Sequence, residues 1–292
     1  MGEGELRFSC GIPLYHPESE DLKHIGIYAK AFSHVYLYDN TEGGISTAIR
    51  TELMQAGNVS FVQSGTNDGL SRAYNALCRY AIEDGFHYLA LYDQDSLPTV
   101  CDIQRMMDFI AGRQDKDVAV YGHSIRICHE EDYPGEGGER EAQEQMAAVE
   151  ADDLISSGSW LNLAVYARLP GFDEDLFIDR VDVDYCITAR ENGYRILQVK
   201  GSVLYHRIGE YKKVLWKTIS QHPPLRMYYI ARNVMYEREK HGRGKWSGIR
   251  WLVNEIRHVL IYEDDKLAKV NAMLHGAYDC WTRRLGKTER HF

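Results

Sequence analysis

Asp93 and Asp95 stand one residue apart directly after the apolar run Tyr88-Leu89-Ala90-Leu91-Tyr92, the spacing in this chain that promises most chemistry. A buried strand that hands two carboxylates to the loop beyond its C-terminal end supplies hard oxygen donors for a divalent cation, and through it for a phosphate-bearing substrate. Asp and Ser in such a loop equally suit a turn held by side-chain to backbone hydrogen bonds, so the pair alone leaves both readings open. Acidic residues at 179, 182 and 184 form a second group, just before a helical pattern ended by Gly193. There they complement the helix dipole, and one of them is also a candidate base for the proton of an acceptor hydroxyl. His206, at the end of a strand-like run, is a candidate third metal ligand beside the usual structural role of a lone His.

Positioning these groups takes alternating strands and helices. Runs at 6–12, 34–38, 59–62 and 88–92 read as strands, the first closed by Pro13. Helical patterns at 18–31, 45–56 and 71–84 lie between them, the last with Ser71 as N-cap and Gly85 as its stop. This is an α/β pattern with a parallel, nucleotide-binding type of sheet. Neither Gly-x-x-x-x-Gly-Lys-Ser/Thr nor Gly-x-Gly-x-x-Gly follows a strand, so a phosphate must be held otherwise. A metal on Asp93 and Asp95, with Arg72 near a helix N-terminus, is the economical alternative. A helix over 102–112 and strands at 117–121, 194–199 and 203–205 add to the expected core. Residues 130–153 hold ten acidic residues against one Arg, with Pro134, Gly135, Gly137 and Gly138, and read as a solvated loop or, alternatively, a lid.

The 292 residues are 44% hydrophobic and 26% charged, enough for one large domain with an appendage or for two domains. No run of 18 apolar residues occurs and the N-terminus lacks a basic-then-apolar leader, so a cytoplasmic location is expected. Six scattered cysteines without a Cys-x-x-Cys pair read as reduced thiols, not a zinc site or a disulfide framework. The net charge of −9 is split: residues 1–199 carry 15 Lys and Arg against 34 Asp and Glu, and residues 200–292 carry 19 against 9. The acidic part argues against nucleic acid as a partner. In the basic part, Trp251-Leu252-Val253-x-x-Ile256-x-x-Val259-Leu260 is spaced as an amphipathic helix flanked by Arg250 and Arg257. It reads either as part of a packed helical subdomain or as a peripheral membrane surface, helped by Trp216, Trp246 and Trp281.

Several motifs occur in a familiar order: Asp39-Asn40, Asn67-x-Gly69-x-x-x-Ala73-x-Asn75, Leu91-x-Asp93-Gln94-Asp95-Ser96 and Ser157-Gly158-Ser159. Gly171-Phe172-Asp173-Glu174-x-Leu176-Phe177-Ile178-Asp179, Val181-Asp182-Val183-Asp184 and Tyr228-Tyr229-x-x-Arg232-Asn233 continue it. Together, over roughly residues 8–240, they resemble family 2 inverting glycosyltransferases, in the rhamnosyltransferase-like branch. The resemblance implies an A-type glycosyltransferase fold, a Rossmann-like nucleotide-binding mixed sheet flanked by helices, in residues 1–207. Its nucleotide-binding half would reach about residue 100, its acceptor half would span 101–207, and residues 208–292 would form a helical, basic C-terminal extension.

The same resemblance implies roles. Asp39 would contact a pyrimidine base with Pro13 and Tyr15 beside it, and Asn67 and Arg72 would line the nucleotide pocket. Asp93 and Asp95 would hold Mg²⁺ or Mn²⁺ against the diphosphate, with His206 completing the ligands. Asp182 matches the second position of the family's usual Glu-Asp pair, the general base; Val181 stands at the first position, which keeps Asp179 and Asp184 as alternates. The implied partners are a nucleoside diphosphate sugar, dTDP-rhamnose first, and a glycan or lipid-linked oligosaccharide acceptor of surface polysaccharide synthesis, with a homo-oligomer left open. Galactofuranosyl or other hexosyl transfer is the alternative within the family. Outside it stand a sugar-nucleotide nucleotidylyltransferase, disfavoured by the lack of a Gly-rich, basic loop after the first strand, and a non-catalytic nucleotide or glycan-binding module.

Overall fold

Four strands, β1 (Phe8–Leu14), β2 (Val35–Asp39), β3 (Val59–Gln63) and β4 (Tyr88–Leu91), lie parallel in the order β3-β2-β1-β4. Every residue of β1, β2 and β4 is buried, as continuous apolar strands covered on both faces should be. The crossovers are α1 (Ser19–Ala31), α2 (Thr47–Met54) and α3 (Gly69–Glu83). The computed structural model describes residues 5–96, 99–113, 115–128, 145–207, 211–214 and 217–292.

Two local expectations are corrected here. Pro13 does not close β1 but lies inside it, opposite Tyr38; pairing with β4 stops at Gly11, so the missing N–H of Pro13 costs that edge no ladder bond. Helix α3 starts at Gly69 with Asp68 as N-cap, and Ser71 is buried within it.

After α4 (Val100–Arg113) come β5 (Val118–Cys128), β6 (Ala147–Glu150), β7 (Ser159–Asn162), the short α5 (Leu163–Tyr166), α6 (Val181–Glu191) and β8 (Arg195–Arg207). They extend the sheet to eight strands, β3-β2-β1-β4-β7-β5-β8-β6. The sheet is mixed, because β7 runs antiparallel between β4 and β5, and β6 runs antiparallel along β8. The two short strands expected near 194–205 are one strand interrupted by a bulge, where the register jumps from His123↔Val199 to Ser124↔Val203. Gly201, at φ +81°, lies in that bulge. Part of the expected acidic loop is strand β6; its residues 130–144 lie outside the described residues.

By contacts the chain divides into two compact units, Met1–Phe172 with Tyr185–Arg207, and Asp173–Asp184 with Ile208–Phe292. The second therefore takes a segment from the middle of the chain. It holds the antiparallel pair β9 (Tyr211–Val214) and β10 (Lys217–Ser220), and helices α7 (Pro224–Lys240), α8 (Lys245–Tyr262) and α9 (Lys266–Trp281). Leu252 and Val259 of α8, with Trp251 and Ile256, pack on Met227, Ala231 and Met273. Of the amphipathic stripe read from the sequence, Leu252 and Val259 are buried and Trp251 and Ile256 partly buried, whereas Val253 and Leu260 are exposed. Helices α7 and α9 cross closely at Gly276, where a methyl group would run into the Tyr228 carbonyl. Among the described residues no helix is long and apolar enough to cross a membrane. Cys10, Cys78, Cys101, Cys186 and Cys280 are unbridged.

Candidate active site

The loops beyond the C-terminal ends of β1 to β4 are laced together by hydrogen bonds. The Leu14 carbonyl accepts from the Asn40 N–H at 2.8 Å, and Thr41 Oγ1 accepts from the His16 N–H at 3.0 Å. Asn40 Oδ1 accepts from the Asp68 N–H at 2.8 Å, which ties the third loop to the second. Gln94 ties the fourth loop to the first: its Oε1 accepts from the Tyr15 N–H at 2.8 Å, and its Nε2 donates to Asp21 at 3.1 Å.

Pro13, Tyr15, Asp39, Asn67, Asp93 and Asp95 therefore share one edge of the first unit. Asp39 is only 1% exposed, with its oxygens accepting from the Thr41 and Ile45 N–H groups at 3.0 and 2.8 Å. Pro13 is buried in β1 opposite Tyr38, the residue before Asp39, while Tyr15 is half exposed and stacks edge-on to His16. Asn67 Oδ1 accepts from the Gly69 N–H at 3.0 Å, an Asx turn that opens α3, and Arg72 is exposed in the first turns of that helix.

The acidic turn is fixed through its backbone and its serine. The Asp93 N–H donates to Ser157 Oγ at 3.3 Å, the Ser96 N–H donates to the Asp93 carbonyl at 3.1 Å, and the Tyr28 hydroxyl donates to the Ser96 carbonyl at 3.1 Å. Ser96 and Ser157 meet hydroxyl to hydroxyl. Asp93 is half-buried and Asp95 exposed, so a rigid turn carries two carboxylates at the sheet's edge. That donor set suits a hard divalent cation. Ser157 reaches the turn because the chain reverses at Gly158, φ +81°, where a Cβ would come within 2.7 Å of Leu204 and 3.1 Å of His123.

Beneath the turn lies a buried polar chain. His123 Nε2 accepts from Trp160 Nε1–H at 3.1 Å and lies 2.8 Å from the Tyr92 hydroxyl, and its Nδ1 lies 2.7 Å from Ser202 Oγ. The Trp160 donor assigns the ring proton to Nδ1, which donates to Ser202. Burial holds the His123 pKa down to about 3, so the ring stays neutral. Further along α3, Asn75 grips the Gly171-Phe172 turn, accepting from the Phe172 N–H at 2.8 Å and donating to its carbonyl at 2.9 Å. A Cβ on Gly171 would stand 2.8 Å from Asn75 Oδ1.

Asp179, Asp182 and Asp184 belong to the second unit. Asp184 is buried, ion-paired with Lys240 Nζ at 2.7 Å and in hydrogen-bond contact with His241 Nε2 at 2.9 Å. Asp179 pairs with Arg226 at 3.1 Å; burial raises its pKa against that guanidinium, and the neighbouring Asp182 charge adds to the rise. Asp182 is half-buried in the first turn of α6. Phe177, Asp179 and Arg180 all take positive φ, at 64°, 59° and 69°. Two fully buried residues of α7 hold this unusual backbone. Asn233 Nδ2 donates to the carbonyls of Leu176, Ile178 and Asp179 at 2.8, 2.6 and 3.0 Å, and Arg232 Nη2 donates to those of Asp175 and Leu176 at 3.2 and 3.1 Å.

Gln94 and Ser157 hold the acidic turn in the first unit, and Arg232 and Asn233 hold residues 175–179 in the second; the sequence reading gave none of the four a role, although each stands inside a motif that carried the resemblance. The available signal was an Arg-Asn pair set in the apolar pattern of α7. His206 lies on β8 opposite Ile127, and its side chain lies outside the described residues.

No family model matches the chain. Over 273 residues it is 24% identical to the dTDP-rhamnosyl transferase RfbF of Shigella flexneri, covering 90% of each chain. The mannosyltransferase PcManGT of Pyrobaculum calidifontis, solved with GDP-Man and Mn²⁺, superposes with a TM-score of 0.58 at 12% identity, over 95% of this chain and 88% of that one. TarS of S. aureus superposes with a TM-score of 0.55 at 16% identity over 83% of this chain, which spans only 41% of TarS. The fold expected from the motifs, an A-type glycosyltransferase sheet, is the fold found.

Proposed function

We propose that this glycosyltransferase of the family 2, rhamnosyltransferase-like type works in the cytoplasm and moves rhamnose from dTDP-rhamnose, with inversion, onto a glycan or lipid-linked acceptor of surface polysaccharide synthesis. The observation that carries the reading is the Asp93-Gln94-Asp95 turn, set rigidly beyond β4 and bound through Gln94 to the loop after β1. A nucleotide sugar lies at this edge of an open α/β sheet. The rhamnosyl specificity rests on the Shigella flexneri relative.

Asp93 and Asp95 would hold Mg²⁺ or Mn²⁺, with His206 as the third protein ligand. When bound, the cation offsets the negative charge that grows on the departing diphosphate. Asp39 is engaged by its own turn, yet a carboxylate has about four lone-pair sites, so it retains acceptor capacity toward a pyrimidine N–H. Pro13 and Tyr15 would flank that base, and Asn67 and Arg72 the rest of the nucleotide. Asp182 takes the proton of the acceptor hydroxyl. Asp182 is preferred among the three carboxylates because it stands at the second position of the family's Glu-Asp pair, with Asp179 and Asp184 as alternates.

The test is transfer from dTDP-rhamnose, UDP-galactofuranose and other donors, with and without Mn²⁺. dTDP-rhamnose should be preferred, and Asp95→Ala and Asp182→Asn should each lower kcat about a hundred- to ten-thousand-fold while circular dichroism stays unchanged. Wild-type turnover in both variants would sink the assignment. Pyrophosphate release from a nucleoside triphosphate would favour a nucleotidylyltransferase instead.

A further inference from the structure

Helices α8 and α9 carry apolar side chains that folding does not use. The buried stripe of α8 already packs on Met227, Ala231 and Met273, yet Trp246 is 82% exposed and Ile249 and Val253 are exposed along the same helix. On α9, Leu274, Tyr278 and Trp281 are exposed, Trp281 by 79%. The spacings 246/249/253 and 274/278/281 each describe one helical face. Between the two faces lies a groove of about 660 Å³, with Trp246 and Trp281 both in its lining.

The exposed charges around it have one sign. Arg243, Lys245 and Arg250 are exposed about the start of α8, and Arg283 and Arg284 are exposed just after α9. Glu239, the acid in the groove lining, is held by Arg283 at 2.9 Å and by Lys245 at 3.6 Å. Helix α8 has no acidic residue in its first turn and no side-chain N-cap bond, and its first residue is Lys245. Cations at the positive end of a helix dipole oppose helix stability, and an external anion offsets both.

We propose that this face docks on an anionic lipid surface. Trp246 and Trp281 enter the boundary between headgroups and acyl chains, and the five cations face lipid phosphates. A second copy is the poorer occupant, because a two-fold contact through the patch would set the same cations against each other. The inference does not depend on which sugar is transferred.

Vesicle flotation of the full chain tests it, with phosphatidylcholine vesicles lacking or containing phosphatidylglycerol. The wild type should float with the anionic vesicles at low salt, stay behind with the neutral ones, and be released by high salt. Arg250→Gln and Arg284→Gln should each weaken binding about fivefold, the equivalent of about 1 kcal/mol per basic residue. The double variant Trp246→Ala/Trp281→Ala should lose binding while retaining wild-type ellipticity and wild-type transfer to a soluble acceptor. Absence of wild-type flotation at low salt, or unchanged flotation of the tryptophan double variant, would overturn the proposal. So would a solution dimer that the double variant dissociates while vesicles fail to bind. Transfer to a soluble acceptor is read separately, so a failed vesicle experiment leaves the sugar-transfer reading standing, and the reverse.

Discussion

Arg232 and Asn233 do more to shape the acidic segment 175–180 than any residue within it. The carbonyls of Leu176, Ile178 and Asp179 converge on one amide nitrogen, in a stretch where three non-glycine residues take positive φ. Such backbone is costly and persists only where its surroundings over-determine it. Asn233→Ala should therefore lower stability by about 3 kcal/mol, measured by urea unfolding, through buried carbonyls left without a donor. It should also lower kcat more than the donor KM, since the segment leads into Asp182, the proposed base, and not into the loops proposed to hold the nucleotide. Little of this was legible beforehand. Asp93 and Asp95 announce themselves by spacing, but Asn75 acts on Phe172, 97 positions away, and Ser157 on Asp93, 64 away. A residue whose role lies in a distant backbone group gives no local signal.

At the level of elements, β1 to β4 and their helices were readable because each is a local apolar run with its own stop signal. Strand β7 was not: four residues inserted antiparallel between β4 and β5 show no periodicity, and the mixed sheet follows from it. The bulge in β8 split one strand into two apparent ones because residues 200–202 break the apolar pattern. That bulge contains Ser202, the partner of His123. His123 has a pKa of about 3 in the folded protein against an ordinary 6.5, so from pH 6.5 down to about 3 the unfolded chain takes up a proton that the folded chain refuses. Its contribution to stability is complete above pH 6.5 and is lost as the pH falls, by about 1.4 kcal/mol per pH unit within that window. The difference in unfolding free energy between wild type and His123→Gln, measured from pH 7 to about pH 4, should narrow accordingly. A constant difference would remove His123 from the acid sensitivity of the fold.

For the molecule as a whole, length and charge asymmetry pointed to two parts, and contacts within the chain define two units. The allocation of residues 173–184 was not legible, because their partners on α7 lie some sixty positions further on. A nucleotide sugar that binds only the native state should raise the thermal midpoint by about 5–10 °C at a hundredfold excess over Kd. The shift should be largest for dTDP-rhamnose with Mn²⁺ and should vanish in Asp95→Ala. The interleaved allocation also bears on where the chain can be cut. A fragment ending at residue 207 would look like a complete sheet domain, yet it would carry residues 173–184 stripped of Arg232, Asn233, Glu237 and Lys240. The loops proposed to bind the donor would be intact and the segment proposed to bear the base unmoored, so on that reading it should retain nucleotide binding while losing transfer altogether. The C-terminal helices are in this sense an internal chaperone for a dozen residues upstream of them, and no exchange of modules at that boundary could leave catalysis behind.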